Sequence, residues 1–297
     1  MAGVLKRLVM AVYHGVAEPA LALTRRRRRL AAFGMAPDAI PTIPVDLQLG
    51  VGPAGFARAI AARYVAPRGL SPLRRALRVT PMAIDLMRCP NAAAFEAAVK
   101  ARSSRSLPKV RKAQRLGYAV HRFPLSRHVY DVHAVKTSAR VRAAGPVLDY
   151  WLLKPEQVGK PATRRIGLKP PSHPTHWTLW WGVFLHEPGH MQGRVRVGER
   201  LVAYLKLTRV GEFVHYTDLM GHADHLEDGV MILMHMEIMR WLLDSGDPLA
   251  DGVGAVVYGA AEHGGEGLLT WKKRAGFTPA RLLSASGDML SSSDVAR

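Results

Sequence analysis

The pattern of apolar and polar residues in the C-terminal half of the chain predicts β-strands. HWTLWWGVFLH, RVRV, RLVAYLKLTR and EFVHYTDLM alternate between apolar and polar residues, as strands with one buried face do. The segments between them, EPGHMQG, Gly198-Glu199 and Val210-Gly211, have the composition of tight turns. We therefore expect an antiparallel meander in this region.

A long helix and three shorter elements follow the meander. DGVMILMHMEIMRWLLDSG is apolar on nearly every side, which predicts a helix packed on both sides. We interpret its methionines as core packing. GAVVYG then predicts a short buried strand, EGLLTWKKRAGF a helix and TPARLLS a closing strand.

The N-terminal half of the chain predicts mainly helices. Residues 54–64 and 91–101 are expected to be helical, the second with an asparagine cap. Ser106 is expected to cap a helix in LPKVRKAQRLG that stops at Gly117. YAVHRFPL then predicts a strand, and HVYDVHAVKTSARVRAAG predicts a third helix that ends at Gly145.

The segment HEPGH matches the zinc-protease pattern H-E-x-x-H, which works because a helix places both histidines on one face. Here Pro188 and Gly189 stand between the histidines and disfavour a helix. We expect a hairpin turn instead, with His186 and His190 at its tip. No metal site is predicted.

Length and cysteine content narrow the class of protein. The chain has 297 residues, of which 48% are hydrophobic, and it can bury one large core or two modest ones. Its apolar stretches are too short for a transmembrane helix. A single cysteine cannot form an internal disulfide and fits a reducing compartment. We predict a cytoplasmic protein.

The positive charge of the chain is concentrated near its N-terminus. Residues 1–117 carry 21 Lys or Arg and 5 Asp or Glu, whereas residues 118–297 carry 21 and 18. Such a field favours a polyanion partner such as RNA, an anionic lipid surface or a phosphorylated substrate. The first 24 residues, followed by RRRRR at 25–29, do not have the order of a secretory signal. Two interpretations of this arm stay open: it contacts the inner face of an anionic membrane, or it is solvated.

The order of meander, buried helix, strand, helix and strand resembles the N-acetyltransferase (GNAT) superfamily. In that fold a mixed sheet opens between two central strands, and the acyl donor enters the gap. Three stretches resemble its FemAB-like branch, whose members transfer amino acids from aminoacyl-tRNA to an amine. They are LPKVRKAQRLGY at 107–118, VKTSARVRAAG at 135–145 and GLLTWKKRAGFTP at 267–279.

The resemblance implies an α+β fold with a mixed, mostly antiparallel sheet flanked by helices. Residues 176–297 are the expected acyltransferase domain, and residues 91–154 resemble the N-terminal half of FemAB proteins. Five prolines make residues 155–175 a linker or flap. Residues 1–90 form a basic, poorly defined region, and the basic N-terminal portion is expected to be a second, partial GNAT-like lobe.

Several basic residues are candidates for binding phosphate. Lys109, Arg111, Lys112 and Arg115 would surround a helix of little more than two turns and repel one another without an anion nearby. A solvated basic face explains them equally well. Arg140, in the second of the three stretches, completes the predicted phosphate-binding set.

The donor is expected to be aminoacyl-tRNA or an acyl-CoA, with no tightly bound cofactor. In the acetyl-transferring relatives a glycine-rich loop before the long helix binds the pyrophosphate. The matching segment here, HADHLEDGVM, keeps only Gly229 and places Glu227 and Asp228 where they would repel it. This departure favours aminoacyl-tRNA, so tRNA is a predicted partner.

Three residues are the catalytic candidates. Lys272 occupies the aromatic-Lys position of the resemblance and would stabilise the oxyanion. Tyr258, at the end of GAVVY, would reach the leaving group, and His215 would relay a proton. By strand alternation His215 and Asp218 lie on opposite faces and do not form a pair. The alternatives that stay open are a surface position for Lys272, a core position for Tyr258 and a structural role for His215.

We therefore predict an N-acyltransferase of the GNAT fold that acts on an amine of a peptide, a cell-envelope precursor or a small metabolite. One alternative is the same fold with an acyl-CoA donor. The other is a non-catalytic RNA- or membrane-binding protein on a decayed scaffold. The sequence does not identify the acceptor or the oligomeric state.

Overall fold

A computed structural model of the chain describes residues 12–49, 54–66, 71–142, 145–146 and 154–285. Within these ranges helices combine with a large, mostly antiparallel sheet, so the predicted α+β class is confirmed. Residues 1–11, part of the predicted N-terminal arm, and 286–297 lie outside the described ranges. In the described part of the chain, no helix is both long and apolar enough to cross a membrane.

The strands of the described residues are numbered in chain order. They are β1 (Thr42–Val45), β2 (Val65–Ala66), β3 (Pro81–Asp85), β4 (Ala119–Arg122), β5 (Val141–Arg142), β6 (Gly145–Pro146), β7 (His176–His186), β8 (Met191–Gln192), β9 (Val195–Arg196), β10 (Glu199–Val210), β11 (Phe213–Gly221), β12 (Ala255–Ala260), β13 (Thr278–Pro279) and β14 (Arg281–Ser284).

The α-helices are numbered in the same way. They are α1 (Glu18–Ala31), α2 (Ala54–Tyr64), α3 (Pro72–Ala76), α4 (Ala92–Arg102), α5 (Ser106–Arg115), α6 (Val129–Thr137), α7 (Pro155–Val158), α8 (Val230–Asp244) and α9 (Glu266–Arg274). A π-helical turn (Tyr13–Ala17) and 3-10 turns (Leu86–Arg88, Leu125–Arg127, Ala223–Asp228) complete the described helical structure.

The largest sheet has the strand order β13-β3-β12-β11-β10-β7-β4. Strands β11 and β12 are parallel and pair over three residues, Phe213–His215 with Ala255–Val257. Strand β3 is antiparallel to β12, and its register shifts between Val257 and Ala260. A second sheet has the order β1-β14-β2.

The chain forms two compact units. Unit 1 contains residues 1–88, 209–215 and 252–297, and unit 2 contains residues 89–208 and 216–251. The chain therefore passes between the units several times, and no single boundary along the sequence separates them.

Unit 1 has an apolar core beneath strands β1, β2, β12 and β14. Among its buried side chains are Val45, Leu47, Val65, Phe213 and Val257. The turn between β10 and β11 depends on Gly211, whose φ of 57° is in the left-handed region. A Cβ at this position would collide with the backbone oxygen of Asp46.

Unit 2 has its own core, which includes Phe123, Val132, Phe184, Leu201 and Tyr204. Helix α8 also belongs to this unit, and its buried residues include three of its methionines (Met234, Met236 and Met239). The predictions of a buried helix and of core methionines are therefore confirmed. The tryptophans of β7 pack as well, since Trp177 and Trp181 contact Trp241 and Trp180 contacts Tyr204.

The predicted strands and helices after residue 176 are confirmed, as are the helices at 54–64 and near 91–101. Asn91 caps α4 by accepting a hydrogen bond from the backbone N–H of Ala94 at 2.8 Å. Two helix ends were predicted wrongly. Ser106 is the first residue of α5 and Arg105 precedes it as the cap, so the cap lies one residue earlier than expected.

The predicted helix to Gly145 ends at Thr137 instead. Strands β5 and β6 follow it, and Val141 pairs with Pro146 and Arg142 with Gly145 in an antiparallel ladder. The β-branched Val141 and the Gly-Pro pair favour extended backbone over helix. Residues 143–144 lie outside the described ranges.

Candidate active site

Lys272 is a buried cation at the centre of a polar cluster in unit 1. Helix α9 turns Leu269 and Lys272 inward, three residues apart, and leaves Lys273 exposed. Only 1% of Lys272 is exposed to solvent. Its Nζ donates a hydrogen bond to the backbone oxygen of Ala260 at 2.9 Å. The same Nζ lies 4.8 Å from the centroid of the Tyr258 ring.

The surroundings of Lys272 change its acidity. Burial lowers the pKa of Lys272 to about 7, while the negative charge of Glu262 raises it and the positive charge of Arg29 lowers it. The amine is therefore present in both protonation states near neutral pH. A pKa near the working pH is the property that proton-transfer groups need.

Glu262 is the carboxylate that accompanies Lys272, and it is completely buried. It accepts hydrogen bonds from the backbone N–H of Thr80 at 2.9 Å and from the Thr80 hydroxyl at 2.8 Å. Nε of Arg26 lies 3.4 Å from its Oε1. The carboxylate is thus held by both neutral and charged donors, as a buried charge must be.

A second carboxylate, Glu18, serves a neighbouring group of cations in the same unit. Nε2 of His263 lies 2.8 Å from Oε1 of Glu18. The guanidinium of Arg63 also pairs with Glu18. Burial lowers the pKa of His263, although Glu18 opposes this shift.

His215, on β11, is another titratable group of the cluster. Its ring packs against Tyr64, with 4.8 Å between the ring centroids. Burial lowers the pKa of His215 to about 3, and the positive charges of Arg63, Lys272 and His263 add to this effect. His215 is therefore neutral at neutral pH.

The structure brings the three predicted catalytic residues into one unit, and Lys272 contacts Tyr258 directly. His215 is close enough for the charge of Lys272 to shift its pKa. Gly259 lies beside the amine, because a Cβ built there would be 3.5 Å from Nζ of Lys272. Nδ1 of His263 would lie 3.6 Å from the same Cβ, so Gly259, Lys272 and His263 lie close together.

No protein-family model matches this chain, and no curated protein matches it significantly. The likeness to the GNAT superfamily and its FemAB-like branch therefore stays a prediction from the sequence.

Sequence reasoning missed Glu262, His263, Glu18 and Arg26 as parts of this cluster. The segment AEHGG at 261–265 was the available signal, since a charged pair directly after a buried strand is unusual. The run RRRRR also contributes, because Arg29 is buried and its Nη2 donates to the backbone oxygen of Gly264 at 2.8 Å. The interpretation of this run as a solvated arm is therefore wrong for Arg26 and Arg29.

The predicted phosphate-binding residues belong to unit 2. Lys109, Arg111 and Arg115 lie exposed on α5, and Arg140 lies exposed after α6. Within the described ranges these four side chains have no ion-pair partner. We call Lys109, Arg111 and Arg115 the α5 basic surface.

Lys112 differs from its neighbours on α5. Its Nζ lies 2.7 Å from Oδ1 of Asp228 and 3.3 Å from the backbone oxygen of Glu227. Asp228 also accepts a hydrogen bond from the hydroxyl of Tyr118 at 2.8 Å. Lys112 therefore neutralises a carboxylate at the start of α8, where repulsion of a pyrophosphate was expected.

The segment HEPGH contains a turn at residues 188–189 between β7 and β8, but it is not the hairpin tip that the sequence predicted. Strand β8 pairs with β9, and the tip of that hairpin lies at residues 193–194. Nε2 of His190 lies 2.9 Å from Oδ1 of Asp131, and Nδ1 of His128 lies 3.0 Å from Oδ2 of the same residue. Asp131 also accepts a hydrogen bond from the backbone N–H of Leu201 at 3.1 Å. His190 is thus tied to α6 rather than to His186.

In the described part of the chain, no group of three or more His, Cys, Asp or Glu side chains has an arrangement that could hold a metal ion. The absence of a metal stays a prediction. Burial lowers the pKa of His128, but its contacts with Asp131 and Glu199 outweigh burial and raise it above the usual value. We interpret this network as a stabilising element of unit 2.

Replacing Asp131 with Ala should lower the free energy of unfolding by about 3 kcal/mol, because a buried acceptor of three groups is lost. Asp224→Ala is the control, since 80% of the Asp224 side chain is exposed. Urea denaturation of both variants at pH 6 measures the effect. Equal stability of the two variants would contradict the structural role of the network.

Proposed function

We propose that this protein is an N-acyltransferase that transfers an acyl or aminoacyl group to an amine. The observation that carries the proposal is Lys272, a buried amine with a pKa of about 7 that lies against Tyr258 and beside Gly259. Buried groups with strongly shifted pKa values are concentrated at catalytic sites.

The order of elements supports a GNAT-like arrangement. Strands β11 and β12 are parallel, pair over only three residues and are connected through the buried helix α8. Helix α9, which carries Lys272, follows β12 directly. In the fold that the sequence resembles, two central parallel strands stop pairing and the acyl donor binds there.

The proposed reaction forms an N–C bond between the acceptor amine and the donor carbonyl, and it breaks the ester C–O bond. The acceptor must lose a proton to become a nucleophile. Neutral Lys272 accepts that proton, because its amine is half deprotonated near pH 7. This role extends the electrostatic one expected from the sequence, in which the protonated amine stabilises the oxyanion.

Tyr258 and His215 have supporting roles in this proposal. The hydroxyl of Tyr258 donates a proton to the leaving oxygen, which becomes the free 3′-hydroxyl of the tRNA, and protonated Lys272 then returns the acceptor's proton to the Tyr258 phenolate. His215 has a pKa of about 3, so it stays neutral at neutral pH and adds no charge to the site.

Aminoacyl-tRNA is the favoured donor because of the α5 basic surface. Its exposed cations have no carboxylate partners among the residues that the structure describes, and RNA phosphates supply such partners. The charge of residues 1–117, with 21 Lys or Arg and 5 Asp or Glu, supports the same preference.

One observation favours an acyl-CoA donor as the second candidate. Lys112 pairs with Asp228 immediately before α8, so the carboxylate there is offset. The start of α8 is then less repulsive toward a pyrophosphate than the sequence suggests. With this donor the thioester C–S bond breaks and a thiol leaves.

A transfer assay tests the proposal. The purified full chain is incubated with labelled aminoacyl-tRNAs or acyl-CoAs. The acceptors are three amines, namely lysine, a peptide with a free amino terminus and a polyamine. We expect labelled amide from aminoacyl-tRNA. Amide from acyl-CoA alone would select the second candidate. Absence of amide with every donor, together with equal binding of charged and uncharged tRNA, would favour the non-catalytic alternative.

Replacing both Arg111 and Arg115 with Gln should weaken tRNA binding and reduce the salt slope, log Kd against log[salt], by about 1 to 2. Lys112→Gln is the matched control on the same helix, because its ammonium already contacts Asp228. Fluorescence anisotropy over a salt series measures both slopes. Identical slopes for the control and the double variant would count against the α5 basic surface.

A further inference from the structure

Unit 1 contains a cavity of about 500 Å³ that the proposed reaction does not use. Residues of α1, β1, β2, α3, β3 and β14 line it. Ile40, Val79 and Leu282 contribute apolar surface, and all three are buried. The volume is within the range of about 300–1,000 Å³ that small-molecule sites occupy.

The polar part of the lining is strongly basic. Four guanidinium groups line the cavity, those of Arg26, Arg75, Arg78 and Arg281. Among the described residues of the lining there is no carboxylate. The positive charge of Arg26 is balanced by the buried carboxylate of Glu262, which does not line the cavity. The lining therefore combines apolar walls with four guanidinium groups.

Backbone carbonyls fix two of these guanidinium groups. Nη2 of Arg78 donates to the oxygens of Ala62 at 2.6 Å and Val65 at 2.9 Å. Nη2 of Arg281 donates to the oxygen of Pro37 at 2.6 Å. Carbonyl oxygens orient a guanidinium without cancelling its charge, so an anion in the cavity would meet cations that are already positioned.

Burial makes the charge of Arg78 costly. The pKa of Arg78 is lowered by burial, which shows that its cation is partly removed from water. The attraction between an anion and a nearby cation is stronger when the cation is buried than when both charges are exposed to water. The basic lining therefore favours an anionic occupant over a neutral one.

We propose that this cavity binds a small amphiphilic anion, with an apolar body in the cavity and a carboxylate or phosphate head at Arg75 and Arg281. Arg26 and Thr80 line the cavity and also contact Glu262, but binding of a ligand at Arg75 and Arg281 is measured without any transfer reaction. A carboxylate and a phosphate share the required chemistry, because both accept paired hydrogen bonds from guanidinium groups.

Isothermal titration calorimetry of the full chain tests this site, with octanoate, octyl phosphate and octanol as probes. We expect saturable one-to-one binding of at least one anionic probe and none of octanol. The anion that binds more tightly identifies the head group. Arg75→Gln should weaken the binding by about tenfold, since a hydrogen bond between charged groups is lost.

Two further variants separate binding from misfolding. Arg74→Gln is the matched control, because Arg74 lies next to Arg75 on α3 and does not line the cavity. Ala76→Trp should fill the cavity and abolish binding while circular dichroism stays unchanged. The proposal is overturned if octanol binds as tightly as the anions, if neither anion saturates, or if Arg74→Gln and Arg75→Gln weaken binding equally.

Discussion

Lys272→Met is expected to lower kcat for acyl transfer by about 100-fold or more, the usual contribution of a general acid or base. Methionine keeps most of the volume of lysine but removes the amine that accepts the proton. Lys273→Met is the matched control on the same helix, and we expect it to retain full activity because Lys273 is exposed. Steady-state kinetics with the donor identified by the transfer assay measure both variants.

The same substitution should stabilise the protein, which separates loss of chemistry from loss of fold. The folded pKa of about 7 lies below the ordinary 10.5, so the folded protein binds fewer protons than the unfolded chain between these pH values. Its stability therefore rises as pH increases through this window. We expect Lys272→Met to raise the free energy of unfolding at pH 7 by about 2 kcal/mol or more, with the gain declining toward pH 10. An inactive but unfolded variant would leave no support for the catalytic role.

Glu262→Ala is expected to lower the free energy of unfolding by about 3–5 kcal/mol, as removal of one partner from a buried ion pair does. The substitution leaves the Thr80 backbone N–H, the Thr80 hydroxyl and the Arg26 guanidinium without their acceptor. It also removes the negative charge that opposes deprotonation of Lys272.

Glu266→Ala is the control for this prediction. Glu266 pairs with Arg28 and Arg29, but 60% of its side chain is exposed. Exposed pairs contribute about 1 kcal/mol or less, so we expect a small change. Thermal and urea denaturation of both variants at pH 7 give the comparison. A Glu262→Ala protein as stable as the Glu266→Ala protein would show that the buried carboxylate does not hold unit 1 together.

The regular elements after residue 176 could be predicted because their patterns are local. The apolar residues of β7, β10 and β11 and the apolar sides of α8 are visible from neighbours in sequence, and the turn at Gly211 has a recognisable composition. The error at the end of α6 has the opposite cause. Helical and extended tendencies compete in SARVRAAGP, and pairing of β5 with β6 decides the outcome.

The candidate site could be predicted only in part, since its environment is built from distant segments. Lys272 stood out through the aromatic-Lys pattern, but its burial depends on residues that the sequence does not connect to it. Glu18 and Arg26 come from helix α1, more than 200 residues earlier in the chain. A run of five arginines looks solvent-exposed when only its neighbours are considered, and only the fold shows that Arg29 is buried.

The most direct test of the account is to measure the pKa of Lys272 and the pH dependence of acyl transfer together. Selectively ¹⁵N-labelled lysine gives the amine signal by NMR, and its absence in Lys272→Met assigns it. We expect a pKa of about 7 that coincides with an inflection in the kcat profile, and both should move to lower pH in Glu262→Gln because the negative charge that raises the pKa is removed. A pKa near 10.5, or a kcat profile that stays unchanged when the pKa moves, would contradict the central claim that this buried amine performs the chemistry.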